Sequence, residues 1–154
     1  MSFLMTVSGT RTPSARILIV DDNPLGLAAR RSVLEELGHR VHTCASAPDA
    51  LQQCAAQSFD LIITDYRMPK MNGVEFIQEL KKQDPQIPII LISGFTDTLG
   101  LNESSTGADV VIQKSAQEVG RLIRAVARLT RKTAPKKKPA KSTAASADTT
   151  RKRA

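Results

Sequence analysis

The sequence contains no tryptophan and few other aromatic residues, with four Phe and one Tyr among 154 residues. Any hydrophobic core must therefore be built from aliphatic side chains. Cysteine is also scarce: Cys44 and Cys54 form no C-x-x-C pair, and the two histidines stand at no metal-ligand spacing, which excludes a disulfide framework and a structural zinc site. No run of about 18 apolar residues occurs, so the sequence offers no membrane anchor. These absences predict a cytoplasmic protein.

Positive charge is concentrated at the C-terminal end of the chain. Residues 131–154 carry nine basic residues against one acidic residue, a net charge of +8, whereas residues 1–130 carry −1. This basic segment is rich in Lys, Ala and Pro and lacks aromatic and branched aliphatic residues, so it buries too little apolar surface to offset the loss of chain entropy. We therefore predict a flexible leader over 1–15, a folded domain over 16–130 and a disordered basic tail over 131–154.

Within the predicted domain, short apolar runs alternate with amphipathic segments. The apolar runs predict strands over 16–20, 40–44, 60–64, 88–92 and 109–112. Helical spacing and punctuation by Pro and Gly predict helices over 24–37, 48–57, 74–82 and 116–131, with a weaker fourth helix in the Ser- and Gly-rich stretch 95–107. Strict alternation indicates a doubly wound α/β fold, a five-stranded parallel sheet with helices on both faces.

Polar residues follow four of the predicted strands. Because ligands of such sheets bind beyond the carboxyl ends of the strands, these residues are expected to share one crevice. Two like charges about 4 Å apart repel by about 1 kcal/mol in water and about 4 kcal/mol near a protein surface, so converging carboxylates require a cation. Mg²⁺ suits a site that combines carboxylates with phosphate oxygens. The residues concerned are Asp21, Asp22, Asp65, Ser93 and Lys114.

Two other uses of such a sheet are disfavoured. A dinucleotide or phosphate site requires Gly or hydroxyl residues after the first strand, but the chain has Asp21 and Asp22 there and no G-x-G-x-x-G motif. A phosphatase of the haloacid dehalogenase type is expected to carry a second Asp two residues after its nucleophile, whereas Asp65 is followed at that distance by Arg67.

Over roughly residues 16–130 the sequence resembles the receiver domain of two-component response regulators. This resemblance implies a flavodoxin-like fold of the receiver type and a dependence on Mg²⁺. The signals stand in the expected order at the predicted strand ends: Ile-Val-Asp21-Asp22, Thr64-Asp65-Tyr-Arg-Met68-Pro69-Lys-Met-Asn-Gly73, Ser93 and Lys114.

The resemblance also implies a role for each site residue. Asp65 is the expected phosphoacceptor, and Lys114 and Ser93 are expected to contact the phosphoryl group. Mg²⁺ is expected to be held by Asp22, Asp65 and the backbone carbonyl of Arg67, with Asp21 acting mainly through water. The loose transition state of phosphoryl transfer needs its oxygens neutralised, which a metal, an ammonium and a hydroxyl achieve together.

The implied function is that of a stand-alone phosphorylation switch rather than a turnover enzyme. Its expected partners are a sensor histidine kinase or phosphotransfer protein and an unknown downstream protein. The alternative is a nucleic-acid-associated protein that uses the basic tail, with a vestigial receiver scaffold. Neutralising about five phosphates would give a slope near −4.5 of log K against log salt for DNA binding by that tail.

The sequence departs from the receiver pattern at two positions. Ser115 follows Lys114 where the family usually has a proline with a cis bond, so we expect a trans bond there, since a non-proline cis bond costs about 3 kcal/mol. Val111 replaces the switch aromatic, so no aromatic rotamer can transmit a signal at that position. Gly73 is expected to adopt backbone angles closed to other residues.

Overall fold

The computed structural model describes residues 14–94 and 99–141. Strands and helices alternate along the chain. In order, they are β1 (Arg16–Val20), α1 (Pro24–Glu36), β2 (Arg40–Cys44), α2 (Ala47–Ala56), β3 (Leu61–Asp65), α3 (Gly73–Gln83), β4 (Ile89–Ser93), α4 (Glu103–Thr106), β5 (Val110–Gln113) and α5 (Glu118–Lys141).

The five strands form one parallel sheet in the order β2-β1-β3-β4-β5. Strands β3 and β4 are buried at every position, as expected of central strands in a parallel sheet covered on both faces. The strand order reverses beside β1, which is the topological switch point of a flavodoxin-like sheet. The predicted doubly wound α/β fold is confirmed.

The two faces of the sheet carry different helices. On one face, side chains of α2 and α3, such as Ala50 and Phe76, pack against Leu18 and Leu91. On the other face, α1 and α5 contribute Leu34, Leu122 and Val126 to a separate cluster with the opposite row of strand residues. The second cluster is wholly aliphatic, and the first is mainly aliphatic but includes Phe59 and Phe76, two of the four Phe residues of the chain.

The helices begin at residues that cap them. Asn23 accepts hydrogen bonds from the backbone N–H groups of Leu25 and Gly26, and Pro24 occupies the first turn of α1. Asn72 forms a capping box with Glu75 at the start of α3. Both capping residues lie at the carboxyl end of the sheet, after β1 and after the loop that follows β3. They therefore set where α1 and α3 begin at that end.

The last helix is longer than the sequence predicts. α5 continues to Lys141, ten residues past Arg131 and therefore into the segment predicted to be a disordered tail. Pro135 and Pro139 disfavour a helix interior, so the sequence predicts that the helix ends before them. Lys and Ala have high helix propensity and can extend a helix that has already formed. Residues 1–13 and 142–154 lie outside the described residues, so the predictions for them stay predictions.

The connection from β4 to β5 contains the short helix α4, in agreement with the weak helical pattern there. Glu103 of α4 contacts the sheet edge, because its Oε2 accepts a hydrogen bond of 2.9 Å from the backbone N–H of Val111. Since β5 is the last strand of the sheet, this contact occupies a donor that would otherwise be open to another strand.

Candidate functional site

The carboxyl ends of the strands bring the predicted site residues together. Asp65 ends β3 and Ser93 ends β4, while Lys114 directly follows β5. A cavity of about 390 Å³ opens at this edge of the sheet. Its lining contains all six predicted side-chain and backbone contributors together with two neighbours: Asp21, Asp22, Asn23, Asp65, Arg67, Ser93, Gly94 and Lys114.

Three carboxylates converge in this cavity. Asp21, Asp22 and Asp65 each offer an oxygen, and these oxygens all lie within 4.8 Å of one another. Asp21 and Asp65 are buried and Asp22 is exposed, so the cluster opens to solvent on the side of Asp22. Carboxylates this close repel one another, and the repulsion is strongest where water is excluded.

The central carboxylate has one cationic neighbour close by. Lys114 Nζ lies 2.8 Å from Asp65 Oδ1, and the Asp65 side chain is 4% exposed. At this separation the ammonium and the carboxylate form a close, charge-assisted ion pair. Burial raises the pKa of Asp65 and the nearby Asp21 raises it further, while Lys114 and Arg30 act in the opposite direction.

The backbone aims Lys114 at the cavity without a cis bond. The Lys114–Ser115 bond is trans, as predicted. The Lys114 N–H donates a hydrogen bond of 2.9 Å to the Ser93 carbonyl, which extends the register of β4 with β5 by one residue. The missing proline therefore does not prevent the lysine from reaching Asp65.

A second cation, which the sequence pattern did not predict, lies at this site. Arg30 of α1 is buried, and its Nη1 lies 2.7 Å from Asp21 Oδ2. Its Nε lies 2.8 Å from Glu118 Oε2 in the first turn of α5. Arginine is normally an exposed residue. Arg30 nevertheless lies three residues after Leu27 and four before Leu34, on the face of α1 that packs against the sheet, and this spacing is the signal that the sequence offered.

A glycine leaves the room that the pair of Asp21 and Arg30 needs. Gly26 lies one helical turn before Arg30, on the same face of α1. A Cβ at Gly26 would lie 2.8 Å from Asp21 Oδ2 and 3.3 Å from Arg30 Nη1. The absence of a side chain at Gly26 therefore leaves the space in which Asp21 and Arg30 meet.

A glycine is needed at position 73, but the prediction that its backbone angles require one is wrong. The residue with positive φ in this loop is Lys70, at 74°, whereas the φ of Gly73 is not positive. Gly73 is required by close approach: its N–H donates a 2.7 Å hydrogen bond to the Tyr66 carbonyl, and a Cβ would collide with the Asp65 carbonyl oxygen. The start of α3 thus packs directly against the backbone of Asp65.

The donor set suits a hard divalent cation. All three side chains offer carboxylate oxygens, with no histidine or cysteine in the cluster. Mg²⁺ prefers one or two carboxylates with the remaining positions open to water and phosphate oxygens. The cluster therefore fits the predicted metal, with Asp22 and Asp65 the carboxylates least engaged by hydrogen bonds from the protein.

Comparison with known proteins identifies the family. The family model of the response regulator receiver domain matches residues 17–127. The chain belongs to this family, whose members are phosphoacceptor switches of two-component signalling and bind Mg²⁺ at an acidic pocket. Among solved structures, the response regulator TrrA of Thermotoga maritima in complex with Mg²⁺-BeF is similar, with a TM-score of 0.68, 31% identity and coverage of 74% of this chain and 97% of TrrA.

The similar curated proteins are longer than this chain. The gliding motility regulatory protein of Myxococcus xanthus is 32% identical over 127 residues, which are 79% of this chain and 16% of that protein. The PhoP regulator of alkaline phosphatase synthesis in Bacillus subtilis is 31% identical over 126 residues, covering 78% of this chain and 51% of PhoP. The match thus concerns the receiver part of these regulators.

Within the part of the chain that the structure describes, no helix has the length and apolarity to cross a membrane.

Proposed function

We propose that this chain accepts a phosphoryl group on Asp65, in a reaction that depends on Mg²⁺, from a sensor histidine kinase or a phosphotransfer protein. The observation that carries the proposal is the position of the Asp65 carboxylate. It is buried at the end of β3, 2.8 Å from the Lys114 ammonium and within 4.8 Å of two further carboxylates. A buried acid kept beside a cation and a candidate metal cluster is suited to nucleophilic attack.

In the proposed transfer, an Asp65 carboxylate oxygen forms a bond to phosphorus while the bond from phosphorus to the donor histidine nitrogen breaks. Lys114 stabilises the negative charge on the phosphoryl oxygens, and the Ser93 hydroxyl donates a hydrogen bond to one of them. Asp22, Asp65 and the Arg67 carbonyl would hold Mg²⁺, with Asp21 acting through water. Bound magnesium would supply further positive charge for the phosphoryl oxygens.

The output of the switch is proposed to be a phosphorylation-dependent contact with a downstream protein. The division into a leader over 1–15, a receiver over 16–130 and a basic tail over 131–154 is part of this proposal, with α5 continuing beyond the second boundary. Stand-alone organisation, a cytoplasmic location and non-specific contact of the tail with nucleic acid stay predictions from the sequence.

The proposal is tested by phosphorylation with a small donor. Wild type, Asp65→Asn and Asp49→Asn are incubated with acetyl phosphate and Mg²⁺ and followed by intact-mass spectrometry. Asp49 is an exposed acid on α2, so its variant controls for loss of one carboxylate. We expect one phosphoryl group on wild type and Asp49→Asn and none on Asp65→Asn. Equal modification of all three proteins, or of none, would contradict the proposal.

A further inference from the structure

We propose that Arg30 is a positioning residue that supplies a permanent positive charge to the acidic cluster and thereby weakens the binding of Mg²⁺. The inference rests on the magnesium-dependent function proposed above and concerns the strength of that binding. It follows from the ion pairs of Arg30 with Asp21 and Glu118.

The first step is the state of Asp21. Its Oδ2 is 2.7 Å from Arg30 Nη1, and its Oδ1 accepts a hydrogen bond of 2.9 Å from the Asn23 N–H. Both oxygens of this buried carboxylate are therefore already engaged by the protein. Charge-assisted hydrogen bonds of this kind are stronger than neutral ones, so Asp21 remains held by Arg30 and Asn23.

The second step is the charge balance of the cavity. Three carboxylates face two cations, Lys114 and Arg30, which leaves a formal charge of −1. Without Arg30 the balance would be −2. An arginine stays protonated at any physiological pH, so its charge always opposes the entry of a second cation. The distance from Arg30 to Asp21 places this charge within direct reach of the cluster.

The third step is the role of Glu118. This carboxylate of α5 lies 2.8 Å from Arg30 Nε, on the other side of the guanidinium from Asp21. It offsets part of the positive charge that Arg30 presents to the cavity. Removing Glu118 should therefore have the opposite electrostatic effect from removing Arg30, whereas loss of packing would act in the same direction in both variants.

The test is a Mg²⁺ titration of the full chain at low ionic strength, by calorimetry and by the fluorescence of Tyr66. This residue is the one tyrosine of a chain without tryptophan and follows Asp65 directly. Arg30→Met is expected to bind Mg²⁺ about tenfold more tightly than wild type, the scale of one charge acting on a divalent ion a few ångströms away. Arg30→Lys is expected to stay within about twofold, and Glu118→Gln to bind about threefold more weakly.

Arg30→Met affinity equal to or weaker than that of wild type would overturn the inference and leave the proposed function intact. Absence of Mg²⁺ binding by wild type would contradict both. Urea unfolding of each variant establishes that it is folded. If Arg30→Met does not fold, Glu118→Gln decides: weaker binding at unchanged secondary structure supports the charge role, and unchanged or tighter binding overturns it.

Discussion

Lys114 and Asp65 form an ion pair with 2.8 Å between Nζ and Oδ1. Lys114 follows β5 and Asp65 ends β3, so the pair spans the end of β4, the strand between them. The lysine side chain is 42% exposed while the aspartate is almost fully buried. The pair therefore joins a buried carboxylate, the proposed nucleophile, to a cation that remains accessible from solvent.

Replacement of this lysine should affect both the ionisation and the reactivity of Asp65. Lys114→Met removes a group that lowers the pKa of Asp65, so we expect that pKa to rise in an NMR titration of the carboxyl carbons. The initial rate of phosphorylation by acetyl phosphate should fall by about a hundredfold, as for loss of one stabilising donor. Lys82→Met, which removes an exposed ion pair with Glu79, is the control. An unchanged rate in Lys114→Met would contradict the assigned role.

Asp65 should lower the stability of the metal-free protein at neutral pH. Burial raises the folded-state pKa of Asp65 above its ordinary value of 3.8, so the unfolded chain loses this proton first as the pH rises. The free energy of unfolding therefore falls above pH 3.8 until the folded-state pKa is passed. Asp65→Asn should stabilise the protein at pH 7 in the presence of a chelator, by about 1 kcal/mol or roughly 4 °C in Tm. The gain should vanish below pH 3.8, and a gain that is independent of pH would refute this explanation.

Two glycines should respond to alanine in opposite directions. A Cβ at Gly73 would collide with the Asp65 carbonyl oxygen and lie 2.8 Å from Leu91 Cδ1, so Gly73→Ala should destabilise the protein by about 1–3 kcal/mol. At Gly120, within α5, the nearest atom is the mobile end of Arg124 at 3.5 Å, and alanine should stabilise by about 0.5–1 kcal/mol. Urea unfolding measures both. Similar changes in the two variants would contradict the close-approach argument.

Hydrogen exchange of the Val111 amide measures the contact between α4 and β5. The Val111 N–H donates to Glu103 Oε2 at 2.9 Å, so Glu103→Ala leaves that donor to water. Exchange of the Val111 amide with deuterium should accelerate about three- to tenfold, corresponding to one net hydrogen bond. Glu36→Ala, at an exposed position of α1, should leave that rate unchanged. Equal exchange in wild type and Glu103→Ala would show that the contact is not maintained in solution.

Residues that begin or end helices account for the accuracy with which the strand bounds were predicted. β1 and β2 occur at the predicted bounds because Asn23, Pro24 and Gly38 mark where the chain leaves one element for the next. The four strand ends bring the predicted polar residues to one cavity because parallel strands share a common end. The same logic fails for α5, which continues through Pro135 and Pro139, residues that usually mark a helix end.

The parts of the site that were missed depend on contacts between distant segments. Arg30 and Arg31 are adjacent in sequence, yet Arg31 pairs with Glu35 at the surface while Arg30 is buried against Asp21. Arg30 shares the packed face of α1 with Leu27 and Leu34, and Gly26 leaves the space in which it meets Asp21. Gly73 was correctly singled out, but its reason lies in the approach of α3 to β3 and not in its own backbone angles.

If the acidic cluster makes Asp65 a magnesium-dependent phosphoacceptor, the phosphoryl group must be found on Asp65, and its position can be determined. The protein is treated with acetyl phosphate in Mg²⁺ or in EDTA, the acylphosphate is trapped by reduction, and the peptides are sequenced by mass spectrometry. We predict modification at Asp65 in Mg²⁺ and little or none in EDTA. Modification at Asp21 or Asp22 instead, or equal modification of Asp65 in EDTA, would contradict the claim.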